Sequence, residues 1–170
     1  IGERMLIDEK KLDVEYKSLL NGVKFRVFTA LSMPTAWFAG LHIKQLDNNI
    51  CISSLRGGWR TQNPFKTMYW AVQGMGAELS TGAAAFAISK SMTKKIRMFV
   101  VATEAKFTKV AQGKIIFTCN ENSLVKSSIE ESMVTGNPVE CKLTSIATDS
   151  SGEVVSEWIF TWNFLVINGE

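Results

Sequence analysis

Apolar and polar positions along the chain change their spacing several times, and each change marks an element. Residues 8–20 place Leu12, Tyr16, Leu19 and Leu20 on one side at helical spacing, and Asn21-Gly22 supplies a stop. Val23 to Leu31 carries Phe25, Val27 and Phe28, which predicts a second short helix before Met33-Pro34. Leu41–Leu46 and Ile50–Leu55 are short runs separated by Asp47-Asn48-Asn49, a hairpin signal. Met98 to Val110 alternates, with Phe99, Val101, Thr103, Ala105 and Phe107 on one side. Ala111-Gln112-Gly113 turns the chain, and Lys114–Cys119 returns as a strand. Asn122–Thr135 reads as a surface amphipathic helix on Leu124, Ile129 and Met133, ended by Gly136. Glu140–Thr148 and Glu153–Val166 form a last hairpin, with Trp158, Phe160, Trp162 and Phe164 on one face.

The stretch from Trp59 to Lys90 follows none of these periods. A polar loop with Asn63 and Pro64 runs into small and apolar residues, and between Tyr69 and Ser89 the one carboxylate is Glu78. Met68 to Ser89 has about the length a bilayer needs, but Gln73 and Glu78 near its centre would be expensive in lipid. A helix buried in a folded protein accounts for the same residues, and its lone acid then needs a reason to be there. The element order predicts an α+β fold, with a largely antiparallel sheet curled round this helix. No repeat or linker interrupts the chain, so one domain is expected over 1–170, with 1–40 as a helical cover and 41–167 as its core.

Net charge narrows the partners. At +3, with no basic run longer than Lys94-Lys95, the chain lacks the concentrated stripe of a nucleic-acid binder but suits a small anionic ligand. Three widely spaced cysteines and a single histidine, His42, argue against a thiolate or imidazole metal site and fit a reducing compartment. Ile1-Gly2-Glu3-Arg4 carries no signal-peptide apolar core, and a cytoplasmic location is expected.

The Asn63-to-Glu78 region resembles the hot-dog fold superfamily, in which a curved antiparallel sheet wraps a long central helix. The nearer resemblance is to acyl-CoA thioesterases of the phenylacetate type, and nearer still to a domain-of-unknown-function branch of them. In the thioesterase pattern a loop Asn precedes His-Gly-Gly at the helix start, and an acid follows fifteen positions after the Asn. Asn63 and Glu78 are fifteen apart, while the His-Gly-Gly positions fall on Tyr69, Trp70 and Ala71. The branch pattern is matched by Arg60, Asn63, Thr67, Met68, Tyr69, Ala77, Glu78, Thr81 and Gly82. The resemblance covers roughly Leu41 to Ile167. It implies a hot-dog core, to which the apolar spacing adds N-terminal helices and one extra surface helix, with sites formed between subunits, a homodimer or homotetramer, and no cofactor, and a coenzyme A thioester as hypothetical substrate.

On this reading Glu78 is the general base or nucleophile and Asn63 orients a water or the thioester carbonyl. Tyr69 and Trp70, at the helix N-terminus, and Thr81, one turn beyond Glu78, would position substrate or oxyanion. Arg56, Arg60, Lys66, Lys94, Lys95 and Arg97 are candidates for the coenzyme A phosphates. Each has a plainer reading. Glu78 can be a structural acid, Asn63 a turn residue, Tyr69 and Trp70 packing anchors, and Lys94-Lys95 with Arg97 a complement to the helix dipole. His42 reads as a satisfied strand histidine. Three functions stay open: a thioester hydrolase, a non-catalytic acyl or small-ligand binding module, and an assembly subunit with a vestigial pocket.

Overall fold

The computed structural model describes residues 7–167. The chain opens with α1 (Glu9–Leu20) and α2 (Gly22–Ser32). Asn21 joins them: its backbone N–H closes α1 on the carbonyls of Lys17 and Ser18, and its side chain caps α2 by accepting from Lys24 N. A third helix, α3 (Pro34–Ala39), was not expected from the apolar spacing. Pro34 sits in its first turn and Gly40 ends it in the left-handed region at φ 78°. Six residues are too few for a helical period to register.

Then follow β1 (His42–Leu46), β2 (Cys51–Arg56), α4 (Trp70–Ser91), β3 (Lys95–Phe107), β4 (Lys114–Cys119), α5 (Asn122–Thr135), β5 (Val139–Thr148) and β6 (Val154–Ile167). The strands form one sheet in the order β1-β2-β4-β5-β6-β3, every neighbouring pair antiparallel, with β1 and β3 at its edges. This agrees with the predicted strand content. Among the described residues no helix is long and apolar enough to cross a membrane.

The 22-residue α4 lies against the sheet, and the small residues of its sequence explain how closely. A Cβ added at Gly76 would stand 2.4 Å from the Phe117 ring, and one at Gly82 would stand 2.8 Å from the Trp162 ring. Its polar residues are matched by the sheet. Ser53 donates to the Gly76 carbonyl at 2.6 Å, and Ser80 and Ser145 hydroxyls meet at 2.7 Å. Ser156 donates to Gln73 Oε1 while accepting from the Trp158 indole N–H. The helix is polar where the sheet is polar, so few buried groups go unpaired.

Trp158, Phe160, Trp162 and Phe164 are buried as their alternation predicted, and they stack in two pairs along β6. Two expectations are corrected. Residues 99–107 do not share one side, because a bulge between Val100 and Ala102 resets the alternation. Phe99 stands opposite Asn163, whereas Thr103 and Ala105 stand opposite Phe160 and Trp158, on the face that packs on the helix. In α5 the buried residues are Asn122, Val125, Ile129 and Ser132, and Leu124 is exposed.

Candidate active site

The loop before α4 is pinned at both ends. Tyr69 N donates to Thr61 O, Met68 N donates to Ala111 O, and Asn63 N donates to Thr67 O. Asn63 organises the turn between. Its Oδ1 accepts from the N–H groups of Phe65 at 2.9 Å and Thr67 at 3.2 Å, and its Nδ2 donates to Thr67 Oγ1 at 2.9 Å. Lys66, at the tip, takes a left-handed φ of 63°. The side-chain acceptor of Asn63 is therefore spent on the loop, and one amide N–H remains for anything else.

Helix α4 begins with Tyr69 as its N-cap, and the Tyr69 side chain makes no capping bond. The Tyr69 carbonyl accepts from Val72 and Gln73. Among the described residues, the N–H groups of Trp70 and Ala71 have no partner. Both Tyr69 (44% exposed) and Trp70 (58% exposed) lie at the surface, with their rings edge to face at 5.9 Å.

Two turns on, Glu78 lines a cavity of about 240 Å³ whose other walls are Met33, Pro34, Thr35, Ala36, Leu41, Met75 and Leu79. Its carboxylate has no hydrogen-bond or ion-pair partner among the described residues. The side chain is exposed in the single chain. Desolvation by the surrounding protein nevertheless raises its pKa above the ordinary glutamate value. The first observation describes the open mouth of the cavity and the second its apolar walls, so the carboxylate is half desolvated and still reachable.

Thr81 is turned away from this cavity. It is fully buried, donates to the Glu78 backbone carbonyl at 3.0 Å and accepts from the Trp162 indole N–H at 3.0 Å. The proposed phosphate-binding cations are scattered. Lys94, Lys95 and Arg97 follow the C-terminus of α4, whose 22 residues span about 33 Å. Lys66 is exposed on the loop. Arg60 lies beside Gly40, in a different cleft.

Asn63, Tyr69 and Trp70 thus gather at the entry to α4, while Glu78 stands two turns into it, without a direct hydrogen bond between Asn63 and Glu78. The α3 residues that wall the cavity were missed, although Pro34 at their start and Gly40 after them are a start and stop signal. The cysteines are buried and free, and burial raises the thiol pKa of each, which makes them poor nucleophiles. No group of three or more metal-ligating side chains occurs among the described residues.

Residues 23–164 match the family model described as a domain of unknown function, DUF4442. Among curated proteins, none matches the sequence. Solved structures of similar fold include a protein of unknown function from Pseudomonas aeruginosa, at 19% identity and a TM-score of 0.69, covering 84% of this chain and 93% of that one. A thioesterase from Haemophilus influenzae aligns at 10% identity and a TM-score of 0.61, covering 87% and 92% of the two chains. A thioesterase family protein from Silicibacter pomeroyi aligns at 12% identity and a TM-score of 0.61, covering 86% and 100%. At these identities the likeness is one of fold.

Proposed function

Since the chain belongs to the DUF4442 family and shares its hot-dog fold with thioesterases, we propose that it hydrolyses an acyl thioester with Glu78 as general base. The observation that carries this reading is the unpartnered Glu78 carboxylate on the wall of an apolar cavity. A desolvated carboxylate without a counter-ion is a stronger base than one in water. It would take a proton from water as the water oxygen bonds to the thioester carbonyl carbon. The carbon–sulfur bond then breaks, and the proton passes to the departing thiolate. The cavity walls supply an apolar seat for the acyl chain, and the free N–H groups of Trp70 and Ala71 suit the developing oxyanion.

Trp70 and Glu78 are eight residues apart, about 12 Å of axial rise on one helix. One carbonyl oxygen and its carbon cannot meet both groups of a single copy. The donors and the base would act together only across two copies, which fits the exposure of Glu78, Tyr69 and Trp70 in the single chain. The proposal therefore includes a homodimer or higher assembly. A coenzyme A thioester is the proposed substrate, and release of free thiol from a panel of acyl-CoA substrates tests it.

A second reading, a binding module without turnover, is favoured by two observations. Trp70 brings bulk to the helix start, and the Asn63 side chain is committed to its turn. It would give a ligand-dependent rise in melting temperature with no thiol release.

A further inference from the structure

A second cleft lies on the other face of the sheet. Ser53 and Cys51 of β2 point toward α4, so Ser54 and Arg56 point away from it. The register then sets His42 opposite Ser54 and Lys114 opposite Arg56, on that same face. Arg26 of α2 and Arg60 of the loop after β2 complete a cleft of about 470 Å³. Its ionisable lining residues are Arg26, Lys44, Arg56, Arg60, Lys114 and His42, with no carboxylate among them.

Three features make this more than a solvated basic surface. Arg56 and Lys114 are like charges directly across an antiparallel ladder, an arrangement that costs stability unless something offsets it. Lys44 is the extra residue of a bulge between Ile43 and Gln45, and it comes to rest against Lys114, whose proximity lowers its pKa. Arg26 is held in place, donating to the Trp37 carbonyl at 2.8 Å with its guanidinium 5.1 Å from the Trp37 ring centroid. None of the five cations is ion-paired to an acid among the described residues, so the cleft keeps its positive charge. Ser54, 5% exposed, adds a hydroxyl to the lining.

We propose that this cleft is a binding site for a small phosphate-bearing ligand with at least two anionic groups, such as a pyrophosphate or the phosphates of a nucleotide. Two such groups match the arrangement: Arg56, Lys114 and Lys44 crowd one side, and Arg26 and Arg60 arrive from other elements. Guanidinium forks receive phosphate oxygens in pairs, and the ammonium groups supply charge. The site stands apart from Glu78 and does not depend on the thioesterase reading. The ligand could be the nucleotide end of a thioester carrier or a separate phosphate compound, and the chemistry of recognition is the same for both.

Isothermal titration of the whole chain with inorganic pyrophosphate, and separately with adenosine 3′,5′-bisphosphate, tests this. Pyrophosphate is expected to bind, more weakly as salt rises. The double variant Arg56→Ala/Lys114→Ala, at two exposed positions, is expected to weaken binding about tenfold or more, while Lys10→Ala/Lys11→Ala on α1 leaves it unchanged. Tighter binding of the bisphosphate than of pyrophosphate identifies a nucleotide, and equal binding identifies phosphate alone. Glu78→Gln is expected to bind pyrophosphate as the parent does, so loss of thioesterase activity and loss of this site are separable. No heat from either probe at millimolar concentration and low salt, or binding unchanged in the Arg56/Lys114 double variant, would overturn the proposal.

Discussion

The indole N–H of Trp162 donates to the hydroxyl of Thr81 at 3.0 Å, joining β6 to α4 in the middle of the core. Both residues are buried. The variant Thr81→Val keeps the shape and deletes the acceptor, leaving a buried indole N–H unpaired. A loss of about 1–3 kcal/mol is expected, read from urea unfolding midpoints at constant slope. An unchanged midpoint would return Thr81 to the list of residues free to serve a ligand.

Gly76 and Gly74 make a matched pair two residues apart on α4. A methyl at Gly76 would stand 2.4 Å from the fully buried Phe117 ring, but one at Gly74 would stand at 3.4 Å from Trp158, an ordinary contact. Alanine gains about 1 kcal/mol of helix propensity at either site. At Gly76, overpacking of about 1–3 kcal/mol outweighs that gain, so Gly76→Ala lowers the melting temperature and Gly74→Ala holds or raises it. Thermal unfolding of the two variants side by side checks the closeness of helix and sheet. Equal melting temperatures would contradict it.

The physical reach of sequence patterns explains what could be read in advance. The strands, α1, α2 and α5 are long enough for their periods to show, while α4 was legible as a long run of small and apolar residues against which the isolated acid Glu78 stood out. The six-residue α3, which walls the Glu78 cavity, is too short to carry a period, and the bulge at Val101 flips a strand's faces without any change in composition. The basic cleft was legible only in part, in Arg56 and Arg60 as phosphate candidates, for another reason. Arg26, Lys44, Arg56, Arg60 and Lys114 come from a helix, three strands and a loop, and only the tertiary fold, including the β1–β2 and β2–β4 registers, brings them together. The adjacent Lys94, Lys95 and Arg97 drew attention because they are neighbours in sequence, and they lie beyond the far end of α4.

Asn63 holds its loop through three side-chain hydrogen bonds. Asn63→Ala removes all of them and is expected to cost about 1–2 kcal/mol. Asn63→Asp keeps the two acceptor bonds and should cost less. Amide exchange at Phe65 and Thr67 is expected to speed up in the alanine variant and far less in the aspartate one. Equal exchange in both would show that the turn does not depend on the side-chain oxygen.

His42 is the one histidine of the chain, so its titration can be followed by proton NMR without overlap. Burial, then the charge of Arg26, lowers its pKa below 6.5. Between the folded and unfolded pKa values the unfolded chain binds more protons. Its contribution to stability is therefore complete above the unfolded value and is lost as pH falls from there to the lower folded value. The measured midpoint is expected below 6.5, moving up in Arg26→Ala and, if the cleft takes an anion, up again with pyrophosphate bound. A midpoint at or above 6.5 in the ligand-free chain would contradict this.

Glu78 carries the functional proposal, and its raised pKa fixes two signs. As a base it works when deprotonated, so activity should rise with pH on a limb above 4.5. Because the folded chain favours the neutral carboxyl, Glu78→Gln should leave the melting temperature unchanged or higher at neutral pH. The decisive measurement is thiol release from an acyl-CoA panel by the parent chain and by Glu78→Gln. Turnover by the parent that falls about a hundredfold or more in a variant of equal or greater stability is the predicted result. Turnover that survives the substitution unchanged, or none by the parent on any acyl-CoA, would contradict the role given to this carboxylate.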